Sequence, residues 1–302
     1  MADNVELNYG AGGDVMAAED LGTHKIQNVK INIGAAGVDG GPVETNNPLP
    51  VTTGSELIST TEYINEVVFG NVAGRRIHLM SGRGSPGTVS ESTLWQDAAL
   101  ADDNLVTSAG TVFLASTDAN DTAAGTGART VLVEGVDTAG DEQQEIVTLN
   151  GTTKVETAKT WHGINRLLVL TAGTSRYNEG TIWCGDGTWT LGVPDTKYNM
   201  VYAGDGSSSI GMYVIPAGYE AYIYAVTAVI GSDVDPVQFT IRVYDGAVQR
   251  VFARATGVAS TNLRVYSDVA ITAGSLIRIC CKALSGTPTI SAYVALLMRD
   301  IT

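Results

Sequence analysis

Phe239-Thr240-Ile241-Arg242-Val243-Tyr244-Asp245-Gly246-Ala247-Val248-Gln249-Arg250-Val251-Phe252-Ala253 is the stretch that decides the fold class. Phe239, Ile241 and Val243 alternate with Thr240, Arg242 and Tyr244, the period of a strand with one face in a core. Asp245-Gly246-Ala247 turns the chain back. A three-residue turn with a bulge sets Ile241 opposite Val251 and Phe239 opposite Ala253. A two-residue turn would set Ile241 against Arg250, so the bulged hairpin is expected.

The same rhythm extends in both directions. Upstream, Tyr213-Val214-Ile215-Pro216-Ala217-Gly218-Tyr219 leads into residues 220–230, apolar on both faces and read as a central strand. Downstream, Val269-Ala270-Ile271-Thr272-Ala273-Gly274 echoes the Ile-Pro-Ala-Gly turn, and residues 276–280 and 290–297 are further strands. Earlier, residues 129–136 and 144–149 flank Asp137 to Asp141 as a hairpin, and Asn150-Gly151 marks a second, tight one. Arg76-Ile77-His78-Leu79-Met80, residues 111–115, 163–170 and 180–184 continue the series. Residues 55–68 are the one plausible helix, weakened by Thr60-Thr61. Strands at this spacing without helices between them argue for an all-β chain built as a sandwich or jelly roll.

Residues 1–54 read differently. Val29, Ile31 and Ile33 alternate with polar residues as a strand, and the prolines of Asn47-Pro48-Leu49-Pro50-Val51 force extended backbone. So short a segment buries little surface alone. It is read as an extended docking arm, followed by one or two antiparallel β-sandwich, jelly-roll-like domains, at 55–204 and 205–302.

Composition narrows the function. The chain has 302 residues, 17% of them charged, with a net charge of −14. An acidic chain lacks the Lys and Arg that phosphate contact requires, which argues against a nucleic-acid partner. No apolar run reaches the length of a membrane helix, and the N-terminus lacks the basic and apolar regions of a signal peptide. Cys184, Cys280 and Cys281 fit no zinc spacing and read as reduced core thiols of a protein made in a reducing cytosol. His24, His78 and His162 are the only histidines and stand in no metal or catalytic spacing. There is no GxSxG elbow, and Gly10-Ala11-Gly12-Gly13 lacks the Lys of a phosphate loop. Asp118-Ala119-Asn120-Asp121 is oxygen-rich, yet without a downstream bidentate Glu it reads as a turn before a calcium site. No catalytic residue, metal or cofactor is therefore expected. Tyr213, Tyr219, Tyr222 and Tyr224, with Trp183 and Trp189, suggest either a glycan-stacking surface or a subunit contact.

Two blocks carry a family resemblance. The first comprises Asn4-Val5-Glu6-Leu7, the Gly10 to Gly13 run, Glu19-Asp20-Leu21-Gly22, residues 27–34, Gly37-Val38-Asp39-Gly40-Gly41 and Asn47-Pro48-Leu49-Pro50-Val51. The second comprises residues 66–72, 118–131 and 147–153, Ile164-Asn165-Arg166 and Leu170-Thr171-Ala172-Gly173-Thr174. Together they resemble virion structural proteins of tailed bacteriophages, which serve as minor capsid, neck or tail-appendage (fibre-like) components. The resemblance implies a virion location after assembly in the host cytoplasm. It also implies anchoring through residues 1–54, with Val29, Ile31, Ile33, Asn47, Pro48, Leu49, Pro50 and Val51 as contacts. The partners it implies are capsid, portal, neck or tail proteins and further copies of the chain, as a homotrimer. Capsid decoration and host-surface glycan or receptor binding are the alternatives.

Overall fold

The computed structural model describes residues 3–6, 15–20, 25–27, 60–88, 90–95, 105–232, 234–258, 260–263 and 269–302. The chain divides into two units, Met1–Tyr63 and Ile64–Thr302. In the first, β1 (Asp3–Glu6), β2 (Val15–Asp20) and β3 (Lys25–Gln27) form an antiparallel sheet in that order. The expected strand through Val29, Ile31 and Ile33 and the run from Asn47 to Val51 lie outside the described residues. The helix α1 is Thr60–Val68, shorter than the 55–68 read from sequence, of which 55–59 also lie outside them.

Beyond α1, the described elements of the second unit are all strands. Its strands are β4 (Arg75–Gly84), β5 (Ser92–Thr93), β6 (Leu105–Gly110), β7 (Phe113–Ser116), β8 (Ala128–Val136), β9 (Glu142–Thr148), β10 (Val155–Glu156), β11 (Trp161–Ala172), β12 (Ile182–Thr190) and β13 (Val193–Val201). They are followed by β14 (Met212–Val214), β15 (Tyr219–Ile230), β16 (Val237–Tyr244), β17 (Gln249–Gly257), β18 (Ser260–Leu263), β19 (Leu276–Ala283) and β20 (Ile290–Asp300). The chain is all-β with antiparallel sheets, as its alternating sequence predicts. No helix among the described residues is long and apolar enough to cross a membrane.

Two sandwiches result. In the central one, sheet β6-β11-β8-β9 faces sheet β10-β7-β12-β13. Leu114, Val131, Val133, Trp161, Leu167 and Ile182 fill the space between them. In the C-terminal one, sheet β18-β15-β20-β4 faces sheet β14-β19-β16-β17, with β5 beside β19. Its core includes Met80, Ile223, Phe239, Ile241, Val294 and Leu296. Pairing therefore takes β4 and β5 to strands more than a hundred residues downstream. Trp95, Val136, Trp183, Met200, Met212 and Leu276 form a third apolar cluster joining strands of both sandwiches. Sheet stacking of this kind buries alternate residues along strands such as β20, which is why the period-2 pattern recurs in the sequence.

The diagnostic hairpin forms in a different register. Tyr244 pairs with Gln249, so the loop has four residues, and Ile241 faces Ala253 while Phe239 faces Ala255. The bulge is present, but it lies at the Ile241/Arg242 step, opposite Phe252, instead of at the turn. Asp245 explains the longer loop: its Oδ1 accepts the N–H groups of Ala247 and Val248, at 3.1 and 2.8 Å. Asn150-Gly151 is a second correction. Gly151 has φ 60°, but the turn joins no paired strands, because β9 pairs with β8 and β10 with β7. The repeated Ala-Gly turns are real: Gly218 and Gly274 both have φ 76°, and the Gly274 N–H donates to the Ile215 carbonyl.

Candidate functional site

The acidic loop after β7 folds into a clasp. Asp121 is fully buried. Its Oδ1 accepts the N–H groups of Ala128 and Glu179, at 2.6 and 2.9 Å. Its Oδ2 accepts the Ser116 hydroxyl at 2.5 Å and the Gly180 N–H at 2.9 Å. A carboxylate offers about four lone-pair sites, so these donors use its capacity. The calcium-like stretch thus turns its buried carboxylate toward N–H and O–H groups. Glu179 closes the clasp from the other side, accepting Asn120, Thr126 and Ser175 side chains at 2.8, 2.7 and 2.5 Å. The hydroxyls of Ser175 and Thr126, then the Asn120 amide, hold its carboxyl below the usual range. Gly151 donates to the Asp121 carbonyl and Gly173 to the Gly127 carbonyl, both at 2.8 Å. Sequence segments 118–131, 147–153 and 170–174 therefore meet at one place, and what they build there is architecture.

A polar cavity of about 610 Å³ opens where β4 approaches β8, β9 and β11. Arg76 makes a two-pronged pair with Glu142 (2.9 and 2.6 Å), and Arg166 reaches Glu134 at 3.4 Å. Pairs this exposed contribute at most about 1 kcal/mol each, so they set geometry more than stability. Asn165 grips the Val214 main chain through both its carbonyl and its N–H, at 2.9 and 2.8 Å. His78 stacks on Tyr213 with ring centroids 3.8 Å apart. Burial, then the charges of Arg76 and Arg166, push the imidazole down to about 4, so it is neutral at pH 7. The cavity has the volume of a small-ligand site, but its charges already answer one another.

The four tyrosines do not share one platform. Tyr213 is 3% exposed, its hydroxyl 3.8 Å from the Met298 sulfur and its ring against His78. Tyr219 packs at the edge of the C-terminal core under the Arg76 guanidinium, 4.1 Å from its centroid. Tyr222 is half-buried on the outer side of β15 and donates to Glu220 at 2.7 Å; Tyr224, two residues on, lies at a bulge. Trp183 is buried in the cluster joining the sandwiches, and Trp189 packs partly buried against that cluster. Sequence reasoning gave Arg76 no role and read Asp121 only as part of an oxygen-rich turn. Strand alternation carried one clue, since Arg76, His78 and Met80 share a face, which gives the core side of that strand two polar members.

The thiols are buried. Cys281 lies in the C-terminal core and Cys280 on the opposite face, 3.9 Å from the Thr93 hydroxyl. Burial pushes the Cys280 thiol up to about 11 and raises Cys184 and Cys281 further.

No family model matches the chain, and no curated protein matches it significantly. Among solved structures, infectious bursal disease virus Gt strain aligns at 10% identity and a TM-score of 0.18, over 75% of this chain and 77% of that one. The VP2 subviral particle of infectious bursal disease virus aligns at 10% identity and a TM-score of 0.14, over 76% of each. Scores this low carry no argument about fold or function.

Proposed function

We propose that this chain is a structural component of a tailed-phage virion, in the head, neck or a tail appendage, and not an enzyme. Residues 1–54 dock to a capsid, portal, neck or tail protein, and the sandwiches of Ile64–Thr302 face outward. The observation that carries this reading is the pair of sequence blocks resembling those of virion proteins. Segments 118–131, 147–153 and 170–174 of the second block meet at the Asp121 clasp, whose hydrogen bonds hold these loops together. Buried thiols and a disulfide-free sandwich suit a protein made in a reducing cytosol and then exposed. Copies of the chain are partners in this reading, with a homotrimer as the favoured symmetry. Capsid decoration is a variant of it. Host-glycan binding is the second reading, favoured by the half-buried Tyr222 and Tyr224 of β15.

Deletion of residues 1–54 tests the proposal. The truncated chain is expected to fold, remain soluble and be absent from purified particles. Incorporation at the full-length level would refute the anchoring role.

A further inference from the structure

β4 is the end strand of its sheet, and three cavities lie along it. The first, of about 610 Å³, is the one beside Arg76 and His78. A second, of about 350 Å³, shares His78, Asn165 and Arg166 with it and continues past Leu79 and Met80. A third, of about 260 Å³, shares Ser81 and Ser207 with the second and ends by Arg83 and Tyr293. The cavities therefore follow one another along the strand, as one trough between the two sandwiches. From Arg76 to Arg83 the strand rises about 24 Å, at about 3.4 Å per residue.

Most of the trough wall is polar. Its arginines stand beside carboxylates: Arg76 by Glu142 and Arg166 by Glu134 in the first cavity, Arg83 by Asp205 at 3.2 Å in the third. The Arg166 and Arg83 side chains are 47% and 50% exposed, so each keeps N–H groups open to a ligand next to its acidic partner. Exposed Lys159 is the one lining cation without an ion pair among the described residues. Ser81, Ser207 and Ser209 add hydroxyls along the middle and far end. His78, where the first two cavities meet, is neutral at pH 7, and its ring nitrogens have no hydrogen-bond partner among the described residues. Tyr293 brings a 45% exposed aromatic ring to the far end.

This make suits a polyhydroxyl ligand. A hydroxyl both donates and accepts, so neighbouring hydroxyls of a sugar can take an N–H from a guanidinium and give an O–H to the carboxylate beside it. A drug-like apolar molecule needs a mainly apolar wall, which the trough lacks. A polyanion meets a carboxylate at each pair. The tyrosine ring offers the apolar body on which the C–H face of a sugar stacks. We propose that the trough holds a saccharide chain, laid along β4 from Arg76 to Arg83 with one ring against Tyr293. The proposal rests on the glycan-binding reading for its ligand class and moves the site from Tyr222 and Tyr224 to the junction of the sandwiches.

An array of neutral and acidic oligosaccharides, printed beside extended peptides, tests the proposal with the full chain. The wild type is expected to be retained on saccharides and not on peptides. Arg166→Ala and Tyr293→Ala are each expected to weaken that binding about 10-fold or more, through a lost charge-assisted hydrogen bond and a lost stacking contact. Both positions are exposed, so neither change opens the core. The double variant Tyr222→Ala/Tyr224→Ala leaves the trough intact and is expected to bind as the wild type does. Saccharide binding that survives both trough variants, or that the tyrosine double variant abolishes, would overturn the trough as the site and leave the glycan-binding reading standing. Retention on peptides in place of saccharides would overturn the ligand class. A wild type retained on no saccharide would overturn the proposal and the glycan-binding reading together.

Discussion

Asp121 shows how much one side chain holds at the residue scale. With the carboxylate removed, the N–H groups of Ala128, Glu179 and Gly180 lose their acceptor inside the protein. Asp121→Ala is expected to destabilise the chain by about 3–5 kcal/mol in denaturant melts, and Asp121→Asn by less, since one acceptor oxygen remains. His78 gives a pH signature. Its folded-state pKa is about 4, against 6.5 for the free imidazole. Between those values the unfolded chain binds a proton that the folded chain refuses, so stability falls as pH drops through that window. His78→Phe is expected to reduce that loss, by up to about 3 kcal/mol at pH 4, in melts compared with the wild type. Neither role was legible in the sequence. The donors to Asp121 from Glu179 and Gly180 lie 58 and 59 positions away, and the arginines that depress His78 include Arg166 on another sandwich's strand.

Elements were easier to read than their partners. The β8–β9 hairpin was visible because alternating Val131, Val133 and Val147 flank a short polar turn, and the structure pairs Val131 with Val147. The pairing of β4 with β20 was not visible, since alternation identifies a strand without naming its neighbour. The register of β16 on β17 failed for a related reason. Side-chain hydrogen bonds from Asp245 lengthen the loop, and a bulge beside Phe252 resets the phase. Close approaches of backbone are likewise hidden. A Cβ at Gly135 would collide with the Gly163 carbonyl oxygen, where β8 lies against β11. Gly135→Ala is therefore expected to cost at least about 2 kcal/mol by denaturant unfolding, because backbone and not a flexible side chain must move.

At the scale of the whole molecule, stability comes from two stacked-sheet cores and the cluster that joins them, without a disulfide among the described residues. The thiols should accordingly resist a disulfide-exchange reagent in the native state and react only as the chain unfolds; prompt labelling of the folded protein would contradict their burial. All-β architecture was open to sequence reasoning because the longer strands, such as β16 and β20, leave their period in the chain. The residues proposed to anchor the chain, Val29, Ile31, Ile33 and Asn47 to Val51, lie outside the described residues, so the proposed docking role stands on the resemblance alone. Cryo-electron microscopy of the assembled phage particle tests that role most directly. The account predicts density for the double sandwich of Ile64–Thr302 on the particle exterior, joined to its neighbour through residues 1–54. Particles that carry no such density, or that hold the chain through its sandwiches with residues 1–54 free of contact, would contradict it.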